Sequence, residues 1–150
     1  MTKYSEYELE AINVALDAIQ SRLTTQDIYT RPADVRNFLK MKLAPAMDEW
    51  FAVMFLTSQH QLITFEKLFR GTVDSSSVHI RVIARKALEC NAAAVVLAHN
   101  HPSGVSEPSR ADRAITDKIK EALQIFDINV IDHFIVTGND TCSFAEHGYI

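Results

Sequence analysis

Residues 92–112 read Ala92-Ala-Ala-Val-Val-Leu-Ala-His99-Asn-His101-Pro-Ser-Gly-Val-Ser-Glu-Pro-Ser109-Arg-Ala-Asp112. The run 92–98 is wholly apolar and short, which suits a strand buried on both faces. His99 and His101 leave that run at spacing i, i+2, so on an extended chain both side chains point to one side. Pro102-Ser-Gly104 and Glu107-Pro108 are turn chemistry, and they allow the chain to fold back so that Asp112 returns toward the histidines. Two imidazoles and one carboxylate can bind one metal ion and leave a fourth tetrahedral position open, as catalytic zinc sites do. Nitrogen and oxygen donors favour zinc without excluding iron, cobalt or nickel. The same residues support a second reading. Ser109 can cap a helix, and Asp112 at the third helical position can complete a capping box. Gly104 is expected to permit a tight loop conformation beside the metal.

Outward from this stretch, a helix is predicted over 109–123, a strand over 128–136, and a segment at 141–145 pairing beside it. Upstream, Ile80, Ile83, Ala84, Ala87 and Leu88 fit one helix face. Trp50–Leu56 and 62–65 are apolar runs separated by Ser58-Gln-His60, which reads as a hairpin although no Asn-Gly signal supports it. Gly71 ends that unit. Leu9, Ile12, Leu16, Ile19 and Leu23 recur at helical spacing. After a break at 24–30, Pro32 opens a second helix carrying Val35, Phe38, Leu39 and Leu43 on one face, and Pro45 stops it. Two helices, a hairpin, helix, strand, helix and strands imply an α/β layered domain with a mixed sheet.

At 150 residues the chain suits one core, and 47% of it is apolar, an ordinary globular fraction. No apolar run is long enough for a membrane helix, and no secretory leader is evident at the N-terminus, so the expected location is cytoplasmic. Cys90 and Cys142 form no Cys-x-x-Cys pair and read as thiols in a reducing compartment. The net charge of −4 provides no global field to attract nucleic acid.

The string His-x-His-Pro followed by Ser-x-x-Asp is similar to the JAMM motif of MPN-type metallopeptidases. The fuller His99-Asn-His-Pro-Ser-Gly-x-x-x-Pro-Ser-Arg-Ala-Asp112 resembles the RadC family in particular, as does Asp132-His133-Phe-Ile-Val. The resemblance covers residues 45–150. It implies a three-layer JAB/MPN-like (cytidine-deaminase-like) domain with a mixed sheet over 45–150, preceded by a short helical segment over 1–44. It also implies one zinc ion per chain with His99, His101 and Asp112 as ligands, and Ser109 helping to stabilise an oxyanion. The motif needs an upstream glutamate near the start of the first core strand. Glu49 is the match chosen and Glu66 its competitor. The activity implied is hydrolysis of peptide or isopeptide bonds, with zinc acidifying a water, Glu49 taking its proton and later returning it to the leaving amine.

Asp132 and His133 are read either as hydrogen-bond partners of a ligand histidine or as a polar strand end. His60 and His79 are read as surface residues, and His147 has no partner evident in the sequence. The family name is tied to DNA repair, so duplex binding is a rival function. Longer relatives carry an N-terminal helix-hairpin-helix module with glycine-rich hairpins, but here no glycine precedes Gly71 and residues 1–44 are neutral. Arg31, Arg36, Lys40 and Lys42 make a modest basic cluster, so strong nucleic-acid binding is not expected. A metal-dependent nuclease and a non-catalytic MPN scaffold are further rivals. The His-Asn-His string only verbally matches HNH nucleases, which space those residues far apart. The partner expected is a protein or peptide substrate of unspecified sequence, with no membrane. The N-terminal helices either pack on the domain or mediate a homodimer.

Overall fold

The computed structural model describes residues 2–72 and 77–150. Helix α1 spans Glu6–Thr25, and a single 3-10 turn at Ile28–Thr30 leads into α2, Pro32–Leu43. Strands β1 (Trp50–Leu56) and β2 (Leu62–Arg70) form the hairpin, followed by α3 (Ile80–Glu89), β3 (Ala94–Asn100), α4 (Arg110–Gln124), β4 (Asn129–Val136) and β5 (Thr141–Ser143). The sheet order is β2-β1-β3-β4-β5. Among the described residues only β3 and β4 run parallel, joined through α4, and the other pairs are antiparallel.

Strand alternation sorts the apolar residues onto two faces. Ala52, Met54, Leu56, Ala94, Val96 and Ala98 share one core with Leu16, Ile19 and Leu23 of α1 and Val35, Phe38, Leu39 and Leu43 of α2. Phe51, Val53, Phe55, Val95 and Leu97 share the other with Ile83 and Ala87 of α3 and Ile115, Ile119 and Leu123 of α4. The domain therefore has three layers, with helices on both sides of a mixed sheet. Strand β3 is buried along its whole length, as a strand covered on both faces must be. The helical segment shares one continuous core with the sheet. Arg22 of α1 also makes two hydrogen bonds to the Asp34 carboxylate of α2, at 2.9 and 3.0 Å.

Two local features differ from the sequence reading. β2 continues to Arg70, well past its apolar run. As an edge strand it tolerates the polar and charged Glu66, Lys67 and Arg70, which an alternation count takes as the end of a strand. The hairpin turn lacks Asn-Gly because Thr57 and His60 do that work differently. The Thr57 hydroxyl accepts from the backbone N–H of Gln59 and Gln61 at 3.2 and 3.1 Å, and His60 takes the left-handed conformation at φ 58°. His60 is accordingly half-buried, edge-on to Tyr29, and not a simple surface residue. Among the described residues no helix is long and apolar enough to cross a membrane.

Phe38 is fully buried where α2 meets the sheet, whereas Val14 on α1 is 73% exposed. Phe38→Ala is expected to lower unfolding free energy by about 3–5 kcal/mol, and Val14→Ala to stay within about 0.5 kcal/mol of the parent. Urea denaturation followed by circular dichroism measures both. A loss under about 1 kcal/mol for Phe38→Ala would show that α2 is not part of the cooperative core.

Candidate metal centre

The centre lies where β3 runs out of the sheet. Phe51 of β1 pairs with His99 of β3, and the ladder between these strands goes no further. Beyond that point the backbone N–H of His101 donates to the Val136 carbonyl of β4 at 2.9 Å. β3 thus stays with β4 and parts from β1, opening a gap at its carboxyl end, the place where α/β sheets commonly present ligands. The loop then reverses at Gly104, whose φ of +88° favours glycine. Ser109 caps α4 by accepting from the Asp112 N–H, while the Asp112 carboxylate accepts from the Ser109 N–H at 2.8 Å, so the capping box is complete.

The same carboxylate faces both histidines. Asp112 Oδ1 lies 3.1 Å from His99 Nε2, Asp112 Oδ2 lies 3.3 Å from His101 Nε2, and the two Nε2 atoms are 2.9 Å apart. Capping and convergence on the histidines, alternatives in the sequence, coexist because a carboxylate has two oxygens and several lone pairs.

The tautomers follow from the hydrogen-bond partners. The Thr116 hydroxyl lies 2.7 Å from the Asp112 carbonyl, to which it can only donate, so it accepts from His133 Nδ1–H at 2.6 Å. His133 is fully buried, and burial first, then the neighbouring His99, push its pKa far below the usual imidazole value. Neutral His133 therefore offers a bare Nε2, which accepts from His99 Nδ1–H at 2.7 Å. His101 Nδ1–H donates to the Val105 carbonyl at 2.7 Å. In both histidines the Nε2 lone pair is left facing the centre. Two bare nitrogens and a carboxylate oxygen at such separations repel one another unless a proton or a cation sits between them. The donor set fits a metal ion: one atom from each of His99, His101 and Asp112 lies within 4.8 Å of the others, two donors are imidazole nitrogens, and the third is a carboxylate. In the absence of an ion, the hydrogen bond to Asp112 raises the His101 pKa against the opposing effect of burial. Burial pushes the Asp112 carboxyl up, but hydrogen bonds from His101 and His99 outweigh it and hold the group well below the usual carboxylate range.

Glu49 immediately precedes β1, and its Oε1 lies 3.8 Å from His101 Nε2. Glu66 is elsewhere: it sits opposite Val53 on the edge strand and pairs with Lys86 of α3 at 3.0 Å. The Ser109 hydroxyl uses a lone pair for capping and keeps its O–H free to donate. Asp132 and His133 separate in role. His133 holds His99 from behind, whereas Asp132 accepts from Ser143 and from the backbone N–H of Ala145 and His133. His79 is exposed. His147 has partners after all, bonding the Ser143 carbonyl at 2.8 Å and stacking on Tyr149. Thr116 was missed in the sequence reading. Its signal was its place one helical turn after Asp112, which on a helix puts both on one face.

A three-layer α/β domain with two histidines and an aspartate converging at the end of a buried strand defines the class: a JAB-type domain with a candidate metal centre. The chain matches the RadC-like JAB domain over residues 29–149, a span that takes in α2, and it belongs to that family. It is 47% identical over 144 residues to a UPF0758 protein of Methylibium petroleiphilum, covering 95% of this chain and 65% of that one. A UPF0758 protein of Vibrio cholerae is 46% identical over 144 residues, covering 96% of this chain and 90% of its own. One from Nitrosococcus oceani is 44% identical over 150 residues, covering 100% of this chain and 66% of its own. The chain thus spans about two thirds of the length of the Methylibium and Nitrosococcus relatives.

Two outcomes are expected. Thr116→Val removes the acceptor that fixes the His133 tautomer, so divalent-metal affinity should fall about 10–100-fold, measured by competition with a chromogenic chelator. Unchanged affinity would disprove the tautomer chain. The second concerns pH. His133, lowered in the fold, must take a proton on unfolding, so its contribution to stability is lost as pH falls below about 6.5. His101, raised in the fold, contributes fully below about 6.5 and loses that contribution as pH rises through its folded value. Asp112, lowered, loses its contribution as pH falls below about 4. Metal binding instead strengthens as ligands deprotonate. The melting-temperature gap between zinc-loaded and chelator-treated protein should therefore widen between about pH 6.5 and 8, and scanning fluorimetry would read it. A constant gap would contradict this account.

Proposed function

We propose that this domain hydrolyses peptide or isopeptide bonds using one zinc ion held by His99, His101 and Asp112. The observation that carries the reading is the pairing of that donor set with two groups in reach that can handle protons and charge. Zinc bound there would polarise a carbonyl and lower the pKa of a water to about 7. Glu49, 21% exposed in its side chain and beside His101, accepts the water proton. It then delivers the proton to the leaving amine. Ser109 donates its free O–H to the oxyanion that develops on the attacked carbonyl. His133 and Val105 keep both ligand rings oriented.

The basic cluster proposed as a rival nucleic-acid site is largely engaged within the fold. Arg31 bonds Gln26, Arg36 bonds Thr141 and Glu146, and Lys42 lies over Phe38 and Phe65. We therefore propose that duplex binding is weak and lost at physiological salt.

Protein purified without chelator should contain close to one zinc per chain by elemental analysis, and His101→Ala should contain almost none while remaining folded. In a peptide-library cleavage screen, Glu49→Gln should retain zinc and lose about 10²–10⁴-fold in kcat. Metal-free wild type of native fold would end the zinc reading. Equal turnover by Glu49→Gln would remove Glu49 from the mechanism.

A further inference from the structure

Asn100 stands between the two histidines and is 2% exposed. Its Oδ1 accepts from the Trp50 backbone N–H at 2.7 Å, and its Nδ2 donates to the Asp48 carbonyl at 2.9 Å. Those two peptide groups flank Glu49. The Glu49 carbonyl itself accepts from the Gly71 N–H at 2.9 Å.

These bonds occur where the sheet parts. Had the antiparallel register of β1 and β3 continued past the Phe51–His99 pair, Trp50 would face Asn100 and Glu49 would face His101 across a closed ladder. Instead β3 keeps only its β4 partner, with the His101 N–H on the Val136 carbonyl, and among the described residues β1 has no backbone partner on that side; the Trp50 N–H goes to the Asn100 side chain. A single carboxamide spans the gap. It supplies the acceptor and the donor that a strand peptide would have supplied, but at side-chain length. The gap leaves room for the Glu49 carboxylate beside the centre, and the carboxamide keeps the Glu49 backbone from drifting. Aspartate at position 100 lacks the donor, leucine lacks both groups, and either would leave a buried peptide group unsatisfied.

We propose that Asn100 is the positioning residue for Glu49, fixing its carboxylate against the metal centre by holding the peptide groups on both sides of it. The inference rests on the role proposed above for Glu49. Asn100 does not act on the ligands, because each has its own support: His133 behind His99, the Val105 carbonyl behind His101, and the Ser109 N–H on Asp112.

The test compares the visible absorption of cobalt(II)-loaded wild type, Asn100→Ala, Glu49→Gln and the double variant, with cobalt content measured for each. All four should bind one cobalt. Glu49→Gln should shift the bands by changing what contacts the solvent on the metal. Asn100→Ala should reproduce that shift, and the double variant should add nothing. On any peptide that wild type cleaves, Asn100→Ala should lower kcat about 100-fold with KM unchanged, the order expected for about an ångström of misplacement. It should have no further effect in the Glu49→Gln background. Should Asn100→Ala fail to fold, the isosteric Asn100→Asp carries the comparison with the same expected result. Wild-type bands in Asn100→Ala beside shifted bands in Glu49→Gln would overturn this inference alone, as would loss of cobalt from a folded Asn100 variant. Cobalt bands unmoved by Glu49→Gln would sink both this inference and the role of Glu49. Failure of wild type to cleave any peptide would sink the hydrolase reading, while the cobalt spectra would still decide whether Asn100 positions Glu49.

Discussion

Two imidazole nitrogens 2.9 Å apart, both with lone pairs directed at one carboxylate, do not gather unaided. The fold must supply the force that holds them. Much of it comes from β3, which is buried on both faces and whose odd-numbered residues, Val95 and Leu97, lock into the core beneath α3 and α4. His99 continues that row and is therefore delivered to the α4 side with no exposure at all. α4 packs on the same side through Ile115, Ile119 and Leu123, which brings Asp112, in its first turn, over the histidines. Donor convergence is thus a by-product of two well-packed apolar rows, and the electrostatic cost is carried by a core that is stable for other reasons.

The hydrogen bonds behind the donors decide which nitrogens face the centre. A buried histidine can point either nitrogen forward, and either tautomer would satisfy the backbone. Here a threonine hydroxyl with a single available acceptor begins a directional chain that ends with a bare nitrogen on His99. Phe51 stacks on His99 at 14° between planes, and Phe144 on His133 at 23°, so neither ring can rotate without disturbing apolar packing. A cluster of surface ligands would pay the entropy of ordering its side chains when an ion arrives. Here much of that ordering is already complete in the folded chain.

Much of this was legible in the sequence for physical reasons. The apolar run 92–98, the i, i+2 histidines and the turn residues that follow depend on local periodicity, and locality is what a single sequence reveals. The helix start at Ser109 was legible on the same grounds. That Asp112 can both cap the helix and face a metal was legible too; the sequence did not show that one oxygen, Oδ2, takes the Ser109 N–H and also faces His101, while Oδ1 faces His99. Most of the illegible parts are relations across distance in the chain. His133 meets His99 through the parallel pairing of β3 and β4. Asn100 meets Asp48 and Trp50 through an antiparallel ladder that stops one pair short. Lys86 captures Glu66 across α3 and β2, and that pairing separates it from Glu49 as a neighbour of the centre. His147 is the exception: its partners, the Ser143 carbonyl of β5 and the Tyr149 ring, are four and two residues away, but only the turn after β5 brings them together.

The position of α4 carries a further constraint. The N-terminus of a helix bears partial positive charge, which disfavours a cation nearby and favours an anion. A centre built only to hold a metal ion would gain from a different helix end. Asp112 in the first turn offsets the unfavourable part by placing a full negative charge between the helix and the donor nitrogens. The favourable part remains at Ser109, at the cap, where an O–H is free and the helix field helps any oxygen on which negative charge grows. In the hydrolase proposed above, Asp112 and Ser109 would divide one helix end between two opposite electrostatic tasks. That division has little value to a storage or structural site, and it has evident value where an oxyanion must form within reach of a cation.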